Sequence, residues 1–153
     1  MKWTYGITTV PMRRADLLPK TLVSLAAGGF DKPRLFVDGC ADAASYVAEF
    51  GCEVTARHPV IRGYGNWLLG LTELYIREPN ADRYAMFEDD FVTYRNLRQY
   101  LEAVPYPGKG YLNLYTFPSN QAIAPNKIGW YEAATLNEKT TNQTGRGAVA
   151  LVF

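Results

Sequence analysis

Two hydrophobic periods alternate along the first hundred residues. Trp3 to Val10 is rich in aromatic and β-branched residues and runs directly into Pro11, which predicts a strand ending in a loop. Asp16 then caps a helix whose apolar face is Leu17, Leu18, Leu22 and Leu25; Pro19 is tolerated in its first turn and Gly28-Gly29 ends it. Arg34 to Val37 predicts a second strand, closed by a turn at Asp38-Gly39. Ala41 to Phe50 has helical spacing up to Gly51, and Cys52 to Ala56 predicts a third strand. His58-Pro59 and Gly63-Tyr64-Gly65 predict a loop. From Asn66, the residues Leu68, Leu69, Leu71, Leu74, Tyr75 and Ile76 predict a well buried helix closed by Pro79. A fourth strand over Tyr84 to Phe87 and a helix over Leu97 to Ala103, closed by Pro105, complete the alternation. Strand and helix in turn imply an α/β, Rossmann-like three-layer sandwich with a mainly parallel sheet.

After Pro105 the texture changes. Strand-like runs at Tyr111 to Phe117, Ile128 to Thr135 and Ala148 to Phe153 have no clear helix between them, which predicts an added mixed or antiparallel section. Asn137 to Gly147 is polar and glycine-bearing and predicts a mobile loop. Residues 1–104 and 105–153 are therefore expected to form two sections of one domain. A chain that stops inside the apolar run Val149 to Phe153 is expected to be a fragment of a longer protein.

Composition removes some function classes. The 153 residues suit one domain, and 48% hydrophobic and 20% charged residues with a formal net charge of +1 give no electrostatic case for nucleic acid or an anionic membrane. Cys40 and Cys52 match no zinc spacing and are too few for a disulfide framework; the simplest reading is reduced thiols in a cytoplasmic protein, with a single bridge left open. The first residues run straight into a strand without an apolar signal region, and no apolar run is long enough to span a membrane.

The stretch Tyr84 to Phe91 carries the candidate chemistry. Three consecutive carboxylates, Glu88, Asp89 and Asp90, follow an apolar strand and precede Phe91, so they lie between aromatic residues that favour burial. Burying unpaired negative charge is costly, and a cation is the natural partner. Oxygen ligands without a Cys/His cluster favour Mg²⁺ or Mn²⁺ over zinc. In a doubly wound sheet, ligands bind outside the carboxyl ends of the strands. The first strand end offers Thr8, Thr9, Pro11 and Arg13, the second Asp38, the loop after the third Arg62, Gly63 and Asn66, and the fourth the acidic triplet. That set suits a nucleoside diphosphate: a carboxylate for base or ribose, arginine and a helix start for phosphate, and acids for a bridging cation. Each element also has a plainer reading. Acids before a helix serve as caps, Asp38-Gly39 is a common turn pair, Gly63-Tyr64-Gly65 has Leu68 where a dinucleotide fingerprint has its third glycine, and single arginines are commonly solvated. Lone His58 reads as a strand-end residue. Trp130, Tyr131 and Glu132 read as a packed strand or an acceptor pocket, and Asn142-Gln143-Thr144 as a glycosylation sequon without a secretory context.

The order of these elements resembles the GT-A class of nucleotide-sugar glycosyltransferases over nearly the whole chain. By that resemblance Thr8, Thr9, Val10, Pro11 and Arg13 line the nucleoside pocket, Asp38 contacts the base, and Gly63, Gly65 and Asn66 lie against the nucleotide. Glu88-Asp89-Asp90 falls on the family's Asp-any-Asp metal motif, with Asp90 ligating Mn²⁺ or Mg²⁺ and Glu88 facing the ribose or a metal-bound water. The resemblance implies metal-dependent transfer of a hexosyl or N-acetylhexosaminyl group from a nucleoside diphosphate sugar, UDP favoured, to a glycan, lipid, protein or small-molecule acceptor. It also implies that the catalytic base lies outside this chain, so a nucleotide-sugar-binding module without transfer activity is the alternative. Nucleotidyl transfer is disfavoured because the first loop, Val10-Pro11-Met12-Arg13-Arg14, has no glycine.

Overall fold

The computed structural model describes residues 1–106, 111–115, 134–137, 140–142 and 150–153. Its first strand, β1 (Trp3–Thr9), lies between β2 (Arg34–Asp38) and β4 (Arg83–Glu88), both parallel to it, and β3 (Val54–Arg57) pairs with β2 in parallel. On the other side β8 (Ala150–Val152) pairs antiparallel with β4 and with β5 (Leu112–Asn113). The result is a six-stranded mixed sheet in the order β3-β2-β1-β4-β8-β5. This is an α/β, Rossmann-like arrangement with the expected antiparallel addition. A separate two-stranded sheet pairs β6 (Ala134–Asn137) with β7 (Thr140–Asn142), so strand backbone occupies part of the Asn137 to Gly147 segment expected to be a loop. Residues 116–117, 128–133 and 148–149 of the expected strands, including Trp130, Tyr131 and Glu132, lie outside the described residues, as does most of the sequon.

Strand side chains alternate between two faces. Ile7, Leu35, Val37, Ala85 and Phe87 share one core with Leu18 and Leu25 of α1 (Leu17–Ala27), Tyr46 of α2 (Ala44–Phe50) and Leu101 of α4 (Leu97–Ala103). Phe36 and Met86 point the other way, onto Leu74 of α3 (Arg62–Arg77). Among the described residues, one helix therefore covers one face and three the other. Close approach on the α3 face depends on glycine: a Cβ at Gly6 would stand 2.5 Å from Phe36 Cε2, and one at Gly70 would stand 2.9 Å from Phe36 Cδ2. The Phe36 ring fills the space that both glycines leave.

Several boundaries differ from expectation for identifiable reasons. The α3 helix starts at Arg62, not Asn66, because the Asp38 carboxylate accepts the backbone N–H of Ile61 at 2.9 Å and fixes the start from across the sheet. Gly63-Tyr64-Gly65 is thereby absorbed into the first turns of the helix instead of forming a loop. Nor is α3 buried all round: Asn66, Gly70 and Leu74 face the sheet, while Leu68, Leu69, Tyr75 and Ile76 are exposed. Only one side of a lone helix meets the sheet. The α2 helix begins at Ala44 rather than Ala41, where Asp42 Oδ1 accepts the Ala44 N–H at 2.9 Å. Asp16 precedes α1 but makes no capping bond and pairs instead with Lys20. Both cysteines are free thiols, and among the described residues no helix is long and apolar enough to cross a membrane.

Candidate functional site

The chain moves outward from β1 through β2 to β3, then crosses back to place β4 on the other side of β1. The β1/β4 boundary is thus a topological switch point, the place where open α/β sheets form a ligand crevice. Thr8 and Glu88 are register partners there. Residues that follow each other along these strand ends face opposite ways, and this divides the site into a buried half and an open half.

The buried half lies toward α1. Asp89 is 1% exposed, and its two carboxylate oxygens accept from Thr9 Oγ1 and from Arg13 Nη1, each at 2.6 Å. Its backbone carbonyl accepts the Thr21 hydroxyl at 2.6 Å. Thr21 occupies an apolar position of α1, between Leu18 and Leu25 on the buried face. Sequence reasoning missed it, although a hydroxyl within an otherwise aliphatic stripe is the signal that could have found it. Arg13 is held by the turn Pro11–Arg13, in which its N–H donates to Val10 O at 3.0 Å while Pro11 is exposed. The hydrogen bond to Asp89 and then its charge raise the Arg13 pKa. Arg14, also missed, ties the same turn to α2 through Ser45 and Glu49, with its guanidinium 4.2 Å over the Tyr46 ring.

The open half lies toward α3. Glu88 is half-buried, and among the described residues its carboxylate makes no hydrogen bond or ion pair. Burial raises its pKa, and the charges of Asp90 and Asp89 raise it further against the opposing effect of Arg13. Asp90 is exposed and lies 3.5 Å from Arg13 Nη1. The Phe91 N–H bonds to Glu88 O at 3.1 Å, and the Phe87 and Phe91 rings stack 5.5 Å apart, so the acids ride on a tight turn fixed by aromatic packing.

The remaining candidates separate. Asp38 is 3% exposed and spends its carboxylate on the start of α3. Asn66 is 1% exposed; it donates to Phe36 O at 2.8 Å and accepts from Arg57 Nε at 2.9 Å, so its side chain locks α3 to the sheet. Arg62 and Gly63 are exposed at the helix start, with Arg62 at a φ of 68°, a left-handed conformation uncommon for a residue with a side chain. Among the described residues no group of three His, Cys, Asp or Glu could hold a metal ion, because Asp89 is turned inward to Thr9 and Arg13. No protein-family model, curated protein or solved structure matches this chain.

The unpartnered Glu88 makes a measurable demand. Its folded-state pKa lies above the unfolded value, so the fold is penalised once pH rises through the raised value and not at pH below the ordinary glutamate range of about 4. Glu88→Gln is accordingly expected to raise stability to urea at neutral pH and leave it unchanged near pH 4. Equal effects at both pH values would show that the carboxylate charge is not what costs stability.

Proposed function

We propose that the chain binds a nucleoside diphosphate sugar through a divalent cation, as a GT-A-like glycosyltransferase. The observation that carries this reading is the open half of the switch-point crevice, where among the described residues the Glu88 carboxylate makes no hydrogen bond or ion pair and that of Asp90 has only the 3.5 Å contact with Arg13 Nη1. Mg²⁺ and Mn²⁺ at phosphate sites commonly use one or two carboxylates plus substrate oxygens. Two carboxylates, all-oxygen donors and a raised Glu88 pKa fit that chemistry without a full protein cage. Asp90 is the proposed ligand, with Glu88 beside it toward the ribose or a metal-bound water. The cation supplies charge neutralisation to the departing diphosphate.

The protein's own groups do the rest. Asp89 holds Arg13 at the edge of the site beside Asp90, as the proposed donor to the phosphates. At the end of β1, Thr8 and Val10 lie beside the open half, Thr9 turns to Asp89 on the buried side, and the exposed start of α3 at Arg62 and Gly63 presents backbone N–H groups and a cationic side chain. Asp38 and Asn66 act through position, by fixing where that helix begins and how it packs.

Calorimetric titration of UDP with and without Mn²⁺ tests the assignment. Binding is expected only with Mn²⁺. Because even residues that merely orient metal ligands are worth about 10–100-fold in affinity, Asp90→Ala should weaken it at least about tenfold. Metal-independent binding that Asp90→Ala leaves unchanged would refute the site. Binding without sugar transfer would identify a nucleotide-sugar-binding module.

A further inference from the structure

At the opposite end of the sheet, on the α3 face, an open cavity of about 460 Å³ is lined by Lys2, Thr4, Lys32, Arg34, Arg77 and Glu78 among others. Its size is that of a small-molecule site. Trp3, Thr4 and Tyr5 are part of its lining, so the four residues Gly6 to Thr9 of β1 separate it from the switch-point crevice by roughly 13 Å at about 3.3 Å per residue.

The lining has an excess of positive charge. Four cations, Lys2, Lys32, Arg34 and Arg77, stand against Glu53 and Glu78 in the lining and Glu73 behind it: Lys2 pairs with Glu78, Arg34 with Glu53 and Glu73, and Arg77 with Glu73, which leaves Lys32 without an ion pair among the described residues. Glu73, behind them, already accepts from Thr55 at 2.7 Å, Arg77 Nε at 2.9 Å and Arg57 at 3.3 Å. Donors remain over: Arg77 spends only its Nε, and Lys32 and the Thr4 hydroxyl make no hydrogen bond among the described residues. Arg34, 11% exposed in its side chain, has its pKa lowered by burial and then by repulsion from Arg77. Glu73 Oε1 stands between the two guanidinium groups, 3.7 Å from Arg34 Nη1 and 2.9 Å from Arg77 Nε, and opposes that repulsion, so the donors left for an added anion are the Arg77 Nη groups and Lys32. The carbonyl end of α3 opposes an anion, but a helix terminus is worth only about 0.3–1 kcal/mol, less than several unspent charged donors provide.

We propose that this cavity binds a phosphoryl-bearing small molecule, held by the unspent Nη donors of Arg77 and by the Lys32 ammonium, with Arg34, already paired with Glu53 and Glu73, adding positive charge beside them. Tetrahedral phosphoryl oxygens match guanidinium forks and an ammonium group together. The site is independent of the crevice and of any cation there.

The test is titration of the full chain with pyrophosphate and, separately, inorganic phosphate, in metal-free buffer and followed by amide NMR. Saturable shifts are expected at Thr4, Lys32, Arg34 and Arg77, with a Kd of about 1 mM or tighter for at least one of the two anions. Lys32 and Arg77 are exposed, so the double variant Lys32→Gln/Arg77→Gln should keep its melting temperature and lose affinity about fivefold or more. Asp90→Ala should bind both anions as the parent does, which separates this site from the switch-point crevice. Shifts confined to the end of β4, equal binding by the double variant, or equal shifts with sulfate would overturn the proposal.

Discussion

Phe30→Ala should lose about 3–5 kcal/mol of folding stability, the cost expected for deleting a large aromatic side chain from a closed core. Phe30 is fully buried between α1 and β2, and its ring meets Trp3, Tyr5 and Phe87 edge-on at 5.3, 5.2 and 5.2 Å. Phe87 in turn stacks on Phe91, so the aromatic column begins near the foot of β1 and ends on both sides of the acidic triplet. Each such pair is worth about 0.5–1.5 kcal/mol beyond burial. Urea denaturation should show the loss directly, and at roughly 2–4 °C per kcal/mol a scan should show a melting temperature lower by about 10 °C. Phe30→Leu keeps most of the volume and should cost well under half as much. Equal losses for the two variants would mean that the edge-to-face contacts, and not the filled space, hold this core.

That column was only half legible in the sequence. The alternation of strand and helix was readable because Gly28-Gly29, Gly51, Pro79 and Pro105 punctuate it and because the apolar periods change cleanly between them. Leu97–Ala103 appears as expected, as do the cores of the four parallel strands. Phe30 was passed over because it lies between elements, where no periodicity assigns a face. The start of α3 was misplaced for a related reason: its helix-starting partner, Asp38, is distant in sequence, and local rules see only Gly63 and Gly65. Leu68, Leu69, Tyr75 and Ile76 were expected to be buried on count alone, whereas the period shows that a single face can carry only part of them.

The candidate site was legible as a gathering of strand ends and opaque as a division of labour. Topology alone brings Thr8, Thr9, Arg13 and the acidic triplet to the β1/β4 boundary. What separates Asp89 from its neighbours is the facing surface of α1, where Thr21 meets the Asp89 carbonyl, and the turn that swings Arg13 inward. Both are long-range contacts that a linear pattern of charges does not encode. Asp38 and Asn66 show the converse, since polar residues at the right strand ends have been spent on joining α3 to the sheet.

Asp89→Ala and Asp89→Asn should differ sharply, and the difference measures how the buried half of the site supports the open half. Removing the carboxylate leaves the hydroxyl of buried Thr9 with only a 3.5 Å contact to Val10 O among the described residues, and frees Arg13. Breaking a fully buried ion pair costs about 3–5 kcal/mol because the remaining charge stays dry. The Arg13 side chain is 40% exposed and can rehydrate, so the loss for Asp89→Ala should be about 2–3 kcal/mol. Asparagine can keep its oxygen toward Arg13 and donate its amide to Thr9, whose hydroxyl can turn to accept; about 1 kcal/mol is expected. Function should follow a different order. Without the Asp89 charge, the nearest carboxylate to Arg13 is Asp90, already 3.5 Å away, and pairing with it occupies the proposed cation ligand. Asp89→Asn should therefore weaken Mn²⁺-dependent UDP binding severalfold while remaining folded. Unchanged binding in the folded Asp89→Asn protein would place Arg13 outside the site's electrostatics and leave Asp89 with a purely structural task.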